Sequence, residues 1–313
     1  MADNLKTLAD LLVVNTAGAA DIEVSDLLND AAILNRLAAT EASDGTLHKY
    51  TKENGAPVVG FRAPNTGRDI SKSTDELVTI ELKILSANTR CDQAIANSYK
   101  KGGPEAYVGK EARRHLKQAF FMAEQQSIYG TGNDADGFTG LIDNDIVKFK
   151  DSDMVVDAGG DTVNGTSSVW FFVTNDEETD VTAIAGQDGK IDIGETVTIE
   201  GYDADGKGLP MYYTPIEGWM GLQVGSIHSV GRICNIDFDH PLTDELLSKL
   251  LEKFPKMPAF GAFSRTTRGQ LQRSRTTYSP TGMPAPLPQE YEGVPLIVAE
   301  SLKNTEAVTA AAA

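Results

Sequence analysis

The stretch GGPEAYVGKEARRHLKQAFFMAEQQSIYG, residues 102–130, decides the fold. Pro104 stands at the first helical position and Glu105 places an acid in the first turn, a combination typical of a helix start. Apolar residues then recur at spacings of three and four, namely Val108, Ala112, Leu116, Ala119 and Ala123. We predict one helix over residues 104–129 that ends at Gly130, and at 1.5 Å per residue it would be roughly 39 Å long, the span of a whole domain.

A glycine-rich turn, residues 131–141, separates this helix from a segment dominated by strands. Residues 167–232 contain β-branched and aromatic runs bounded by Gly and Asp, which predict strands. Thr243 is placed as the N-cap of an amphipathic helix over residues 243–254. The proline-rich segment 279–288 should be extended and cross between domains, and a strand at residues 291–299 closes the chain, with Pro295 at an edge or bulge.

On the other side of the helix, the sequence predicts a strand preceded by a polar hairpin. The strand has an apolar face at period two, formed by Val78, Ile80, Leu82 and Ile84. Residues 46–76 contain Asn54-Gly55, which favours a two-residue hairpin turn, but the flanking residues are polar. Because such a hairpin has almost nothing to bury, we predict a β-arm that projects from the body and needs a partner surface.

Residues 1 to about 42 show short helical patterns, with Ser25 as an N-cap ahead of Leu27 and Leu28. They offer too little apolar surface to fold alone. We expect an N-terminal arm that packs on something else.

The charge of the chain limits its partners. Its 313 residues include 45 acids and 28 Lys or Arg, a net charge of -17, which would repel a phosphate backbone. Residues 176–205 hold ten of the acids and a single base, Lys190, so we expect a strongly negative, solvent-facing surface there. The sequence does not indicate a protein that reads DNA.

Neither secretion nor membrane insertion is expected. No apolar run approaches the roughly 20 residues that cross a bilayer, and the first residues lack a basic region followed by an apolar stretch. Cys91 and Cys234 are isolated from each other and from any metal-ligand spacing. We interpret both as small buried side chains in a reducing compartment, with a disulfide as the weaker alternative.

The residues do not form a constellation typical of an enzyme. The four histidines fall in different predicted elements, and none has a metal partner at i+4: His48, His115, His228 and His240. Glycine-rich loops ending in Lys-Ser or Lys-Thr do not occur, and Gly130-Thr131-Gly132 follows a helix where a nucleotide fingerprint would follow a strand. We expect no catalytic residues and no cofactor.

The best metal candidate lies within residues 187–195, where Gly189 and Glu195 match the sixth and twelfth positions of a calcium loop. The candidate ligands are Asp188, Asp192 and Glu195. The first and third positions, however, are Ile184 and Gly186, which supply no side-chain oxygen. We therefore favour a β-turn over a metal site.

Two basic groups stand out in this acidic chain. The first forms one stripe of the long helix: Lys110, Arg113, Arg114 and Lys117. A solvated face is its simpler interpretation, and contact with an acidic partner is the alternative. The second could pair with acids of its own chain or of an adjacent copy: Arg265, Arg268, Arg273 and Arg275.

Four motifs carry a resemblance to a known family. They are Glu124-Gln125-Gln126-Ser127-Ile128-Tyr129-Gly130, Gly137-Phe138-Thr139-Gly140-Leu141, Gly231-Arg232-Ile233-Cys234-Asn235-Ile236 and Tyr291-Glu292-Gly293-Val294-Pro295-Leu296. Together with the order of arm, polar hairpin, strand, long helix, glycine-rich break, mixed segment and late strand, they resemble the Hong Kong 97-type capsid fold of tailed-bacteriophage major capsid proteins. The resemblance covers about residues 25–306, and residues 160–215 match least well.

The resemblance implies an α+β fold with five parts. These are an N-terminal arm (1–45), an extended β-hairpin loop (46–76), a peripheral domain with its spine helix (77–137), an axial domain (138–288) with an acidic β-rich elaboration at 160–215, and a strand returning to the peripheral domain, followed by the C-terminal tail (289–313).

It also implies a structural role in the virion. Copies of the chain would form pentamers and hexamers that close, in the host cytoplasm, into an icosahedral shell enclosing double-stranded DNA without sequence-specific binding. A portal and a decoration protein would be further partners. Because only residues 1–45 precede the hairpin, we expect the scaffolding protein to be separate.

Other interpretations stay open on the sequence. An encapsulin-type compartment shell would need a groove for a cargo peptide. An acidic β-rich hydrolase or carbohydrate-binding module would need a carboxylate pair on facing strands. A surface-binding protein of the virion is a third possibility, and we expect a self-assembling structural protein rather than an enzyme.

Overall fold

The computed structural model describes residues 6–8, 12–16, 27–55, 58–69, 74–143, 153–175, 179–277 and 283–309. The helices bounded within these ranges are α1 (Gln93–Asn97), α2 (Gly103–Tyr129), α3 (Asp244–Leu251) and α4 (Arg265–Thr277). The strands of the first half are β1 (Val13–Thr16), β2 (Ala38–Glu41), β3 (Leu47–Gly55), β4 (Thr74–Glu81), β5 (Lys83–Ser86), β6 (Thr89–Asp92) and β7 (Val155–Asp157). Those that follow are β8 (Ser167–Phe172), β9 (Val181–Ala185), β10 (Lys190–Ile193), β11 (Val197–Tyr202), β12 (Gly208–Thr214), β13 (Ile216–Val224), β14 (Val230–Ile236), β15 (Phe260–Phe263), β16 (Glu290–Tyr291) and β17 (Val294–Val298).

The long helix α2 is present as the sequence predicts. Gly102, with a φ of +101°, precedes it, and Gly130, with a φ of +52°, ends it. Both are backbone conformations that glycine adopts without the steric cost of a Cβ. The predicted apolar stripe is buried from Ala112 onward, and Phe120, which the stripe did not include, is buried completely. The helix therefore forms one wall of the main hydrophobic core.

The described part of the chain contains four sheets, and α2 contacts strands of the first two. The first has the order β1-β10-β13-β9-β2, with β5 also pairing with β13. The second is β11-β12-β6, the third is β16-β17-β15-β8-β14-β7, and the fourth is the β3-β4 hairpin. The first two sheets contain strands from both sides of residue 137, the predicted domain boundary, and hydrogen bonds therefore connect the two sides.

The hairpin over residues 46–76 is present, but its turn does not lie where the sequence predicted it. Residues Leu47 to Gly55 pair in antiparallel register with residues Glu81 to Thr74, so the strand runs through Asn54-Gly55 instead of reversing there. The register shifts between Glu53 and Gly55, which is a bulge. The two-residue turn was wrong because the local signal at Asn54-Gly55 is overridden by continued cross-strand pairing. A long connection, of which residues 58–69 are described, joins the two strands.

The predicted strand around residue 80 is divided between two sheets. Val78 and Ile80 are half-buried and Leu82 is buried, in agreement with the alternation. Beyond Leu82 the alternation breaks, so that Leu85 packs against the core and Ile84 is 53% exposed. The prediction for Ile84 was wrong because β4 pairs with β3 whereas β5 pairs with β13.

The described part of the N-terminal arm packs on the body of its own chain. Side chains that are at most 1% exposed join the core beside Leu116 and Phe120 of α2: Leu27, Leu28, Ile33, Leu34 and Leu37. Strand β1 lies parallel to β10, and β2 lies parallel to β9. Leu27 is helical, but from Leu28 to about residue 42 the helical prediction was wrong, since the chain forms one 3-10 turn at Leu28–Asp30, irregular turns and a strand. Ser25 lies outside the described residues.

The later elements agree more closely. Thr243 caps α3 by accepting a hydrogen bond from the backbone N–H of Leu246 at 3.4 Å, as predicted. Strand β17 lies parallel to β15, and Pro295 pairs with Glu290 in the short outer strand β16. Helix α4 was not predicted, because Leu271 is its one aliphatic side chain and leaves no apolar periodicity to detect.

Candidate assembly surfaces and the buried contacts behind them

A buried carboxyl group on α2 holds the N-terminal arm. The backbone N–H groups of Ile33 and Leu34 donate to one oxygen of Glu124 at 2.7 and 3.0 Å, and Ser301 Oγ donates to the other. Glu124 is 0% exposed. Burial raises its pKa to about 7, against the lowering effect of these hydrogen bonds. Three distant segments of the chain therefore meet at one side chain.

A second buried network joins the end of α2 to the C-terminal segment. Arg232 on β14 donates to Glu306 at 3.1 Å and to Ser168 at 3.0 Å, and both charged side chains are at most 6% exposed. Tyr129 donates to the other oxygen of Glu306 at 2.7 Å. Burial and the nearby Glu306 raise the pKa of the Tyr129 hydroxyl. The network fixes the segment that follows β17 against α2.

The β3-β4 hairpin is attached at its base and exposed at its far end. His48 Nε2 lies 2.8 Å from Gln223 Oε1, and the Tyr50 hydroxyl donates to the carbonyl oxygen of Val224 at 3.2 Å. In contrast, every residue from 58 to 69 is exposed. Three of them are large and apolar, with exposed fractions of 69% for Val58 and 83% for Val59, while Phe61 is fully exposed. An apolar surface is therefore presented on a projecting loop.

The predicted basic stripe on α2 is only partly neutralised by its own chain. Arg114 pairs with Glu111 at 2.7 Å, and Lys117 pairs with Asp30 at 3.1 Å. Lys110 lies over the ring of Tyr99, 5.9 Å from its centroid, and both Lys110 and Arg113 are exposed. Arg114 and Lys117 also line a cavity of about 380 Å³ beside Phe121 and Glu300.

The second basic group divides in the same way. Arg275 Nε and Nη2 donate to the Asp244 carboxylate at the start of α3, with contacts from 2.6 to 3.0 Å. Arg265 pairs with Glu300. Within the described residues, Arg268 and Arg273 have no such ion pair. Intramolecular pairing thus accounts for two of the four arginines.

The acidic segment 176–205 is divided between core and surface. Residues Val181–Ala185 form a buried strand, and the buried Asp180 contacts Lys256 at 3.3 Å. The calcium candidates Asp188, Asp192 and Glu195 are all exposed, and a 3-10 turn covers Gln187–Gly189. Among the described residues, no three His, Cys, Asp or Glu side chains come together as they would to hold a metal ion. The calcium hypothesis stays a prediction.

The remaining titratable side chains are dispersed. His115, His228 and His240 are exposed on separate elements, and His240 lies 3.3 Å from Asp237. Cys234 is buried, which raises its pKa to about 12, whereas Cys91 is only half-buried. The described helices include none that is long and apolar enough to span a membrane.

Sequence reasoning did not find the two buried networks. Glu124 and Arg232 were noticed only as members of motifs, and Ser301 and Glu306 were not noticed. A charged residue within an otherwise apolar helix face or buried strand is the signal that could have found them, because such a residue requires a partner.

Comparison with known proteins identifies the family. The model of the family described as major capsid protein GP7 matches residues 16–309. A chain in the cryo-EM structure of bacteriophage Epsilon15 aligns with a TM-score of 0.60 and 17% identity, over 95% of this chain and 91% of that chain. The bacteriophage JBD30 capsid aligns with a TM-score of 0.47 and 9% identity, over 84% of this chain and 88% of that chain. The SrpI encapsulin of Synechococcus elongatus PCC 7942 aligns with a TM-score of 0.45 and 8% identity, over 71% of this chain and 92% of that chain.

No curated protein matches the sequence. The likeness to the Epsilon15 chain shows a shared fold and confirms the predicted Hong Kong 97-type fold class. The family model spans all but the first fifteen and last four residues. This chain therefore belongs to the major capsid protein GP7 family and is a structural protein of the capsid shell.

Proposed function

We propose that this major capsid protein assembles with copies of itself into pentamers and hexamers, which close into an icosahedral shell around double-stranded DNA. Its role is structural rather than catalytic, and its place is the virion capsid. Membership of the capsid protein family supports this proposal. The observation that carries it is the exposed apolar surface of the loop that joins β3 to β4.

That loop needs a neighbour. Fully burying a Val or Phe side chain stabilises a protein by about 1.5–3 kcal/mol relative to leaving it in water. Val58, Val59 and Phe61 lie in the connection of a two-stranded hairpin, and residues 58–69, which are all exposed, form no core that covers them. A second copy of the chain, present at high local concentration in a shell, would bury this surface.

We assign the parts of the fold from the membership of the capsid protein family. The peripheral domain would contain the spine helix α2, and the axial domain would contain the sheet of β8 and β14 with α3 and α4. The arm and the extended loop complete the scheme. Strand β17 lies in the sheet of β8 and β14, so the return to the peripheral domain would be made by the segment after it, whose residues Ser301 and Glu306 contact α2. The strands that connect both sides of residue 137 would make the two domains move as one body.

The further partners follow from the family resemblance. We propose that a separate scaffolding protein directs closure in the host cytoplasm, that a portal occupies one vertex, and that a decoration protein can bind the finished shell. The net charge of -17 supports the proposal that the shell encloses DNA without binding its phosphate backbone tightly.

Electron microscopy of the purified protein tests the proposal. We expect rings of five and six copies, tubes or shells over a range of protein concentration, and sedimentation far faster than that of a 33.6 kDa monomer. Discrete monomers at all concentrations, with or without co-expressed scaffolding protein, would contradict it. Uniform native-sized shells formed by this chain alone would contradict the separate scaffolding protein only.

A further inference from the structure

Helix α2 and the segment before it concentrate positive charge in an otherwise acidic chain. Residues 100–117 hold six Lys or Arg against two Glu, while the whole chain carries -17. Within this group, Arg114 and Lys117 are paired with acids of the same chain. Lys110 and Arg113 are exposed one turn apart on the same stripe, and neither has an acidic partner among the described residues. An unneutralised pair of cations therefore faces solvent.

The β11-β12 hairpin presents the opposite charge. Residues 195–207 contain four acids and one lysine, and every residue from 202 to 208 is exposed. Asp205 pairs with Lys207 at 3.3 Å, but both side chains are 75% exposed, so water screens this pair strongly. Glu195, Glu200 and Asp203 form no ion pair within the described residues. The exposed end of this hairpin, its tip, thus carries a net negative charge, with Asp203 and Asp205 in the turn and Glu200 on the adjoining strand.

The tip is also held in one conformation. Asp203 Oδ1 accepts hydrogen bonds from the backbone N–H groups of Asp205 and Lys207 at 2.9 and 2.8 Å. Two backbone hydrogen bonds between Asp203 and the residues Gly206 and Lys207 close the turn, and Gly206 has a φ of +78°. A rigid surface loses less conformational freedom on binding than a mobile loop. This turn is therefore suited to specific contact.

We propose that Lys110 and Arg113 of one copy contact the acidic tip of the β11-β12 hairpin of a second copy, and that this contact orients neighbouring copies during assembly. The inference rests on the proposed self-assembly. Complementary charges at an interface mainly set encounter rate and orientation, because exposed ion pairs add little affinity individually. Repetition of the contact around a shell would make its effect on assembly measurable.

Charge reversal tests the contact in the full-length protein. The variants are Lys110→Glu with Arg113→Glu, Glu200→Lys with Asp205→Lys, and the combination of all four. Asp203 is kept, because its carboxylate holds the turn. Assembly in 50 mM NaCl is followed by light scattering, while circular dichroism and thermal unfolding verify that each variant is folded. We expect each double variant to assemble at least about tenfold more slowly, and the combination to recover to within about threefold of the wild type, because it restores opposite charges.

A matched control changes the net charge equally elsewhere. Lys49→Glu with Lys253→Glu replaces two exposed cations, one on β3 and one after α3, and should stay within about twofold of the wild-type rate. Raising the salt concentration should slow the wild type and reduce its difference from the double variants.

The outcomes separate the two proposals. If the wild type does not associate at all, the proposed function fails and this contact with it. If the wild type assembles and either double variant assembles at the same rate, the proposed contact is wrong and the proposed function stands. The same conclusion follows if the folded combination assembles as slowly as the double variants. Normal assembly of Lys110→Glu/Arg113→Glu with weaker retention of duplex DNA would place the stripe against nucleic acid and would also overturn the contact.

Discussion

Glu124 on α2 accepts a hydrogen bond from the backbone N–H of Ile33 at 2.7 Å, although 91 positions separate the two residues in the chain. The same oxygen accepts from Leu34, and Ser301 donates to the other oxygen. Burial favours the neutral carboxyl and raises its pKa from 4.5 to about 7. The attachment of the arm to the spine helix is therefore coupled to the protonation of one side chain.

This coupling makes stability depend on pH. Because the pKa of Glu124 is higher in the folded than in the unfolded chain, its contribution is fully present below about pH 4.5 and is lost as the pH rises to about 7. The shift corresponds to about 3 kcal/mol. We expect Glu124→Gln to equal the wild type near pH 4.5 and to be more stable by up to that amount at pH 8, measured by urea unfolding at each pH.

The glutamine keeps one oxygen for the N–H groups of Ile33 and Leu34 and gains an amide that can donate to Ser301. Glu105→Gln, at the exposed start of the same helix, is the matched control and should leave the pH dependence unchanged. A difference between Glu124→Gln and the wild type that is constant from pH 4.5 to 8 would show that folding does not raise the pKa of this carboxyl group.

The buried pair of Arg232 and Glu306 should be costly to break from one side. Arg232→Met leaves the carboxylate of Glu306 buried without its cation, and such uncompensated charges cost about 3–5 kcal/mol. We expect a loss of this size in the free energy of unfolding. The combination Arg232→Met/Glu306→Gln should recover part of it, because the neutral amide can accept from Tyr129 through its oxygen and donate to the Ser168 hydroxyl through its nitrogen. A single-variant loss below about 1 kcal/mol would mean that water reaches Glu306.

Local features were predictable from sequence, and contacts between distant residues were not. The spacing from Pro104 to Gly130 and the cap at Thr243 each depend on a few neighbouring residues, and both are present. The partners of Glu124, by contrast, lie at Ile33 and Ser301, and no local pattern encodes that meeting.

The errors have the same origin. At Leu34 a helical pattern was overridden because the surface that buries this side chain belongs to α2, which comes much later in the chain. At Asn54-Gly55 a strong turn signal was overridden because Gly55 pairs with Thr74 across the hairpin. In each case tertiary pairing decided between conformations that the local sequence allowed.

The close approach of Gly140 to the end of α2 gives a third expectation. A Cβ at Gly140 would lie 2.3 Å from the backbone nitrogen of Gly130 and 2.5 Å from the carbonyl oxygen of Gln126. The segment cannot shift freely, because Leu141 donates to the carbonyl oxygen of Ser127 at 2.8 Å. We expect Gly140→Ala to destabilise the protein by about 1–3 kcal/mol in urea unfolding.

Gly109 is the matched control for this substitution. It lies inside α2, and a Cβ there would meet no atom within 4 Å. Gly109→Ala should therefore stabilise the helix by about 0.5–1 kcal/mol. Equal effects of the two substitutions would contradict the close packing at Gly140.

The last expectation concerns the exposed loop, where a substitution should weaken assembly without changing the stability of the monomer. Val59→Ser/Phe61→Ser removes apolar surface that the described residues of the same chain do not cover, so the free energy of unfolding of the monomer should change by less than about 0.5 kcal/mol. Assembly should respond strongly, because losing about 1.4 kcal/mol at one contact already weakens association tenfold. We expect the protein concentration needed for assembly, measured by sedimentation, to rise at least about tenfold.

Ala63→Ser, an exposed change in the same loop, should leave that concentration unchanged. If Val59→Ser/Phe61→Ser assembled at the wild-type concentration, Val59 and Phe61 would remain in water within the shell, and another surface would have to join the copies.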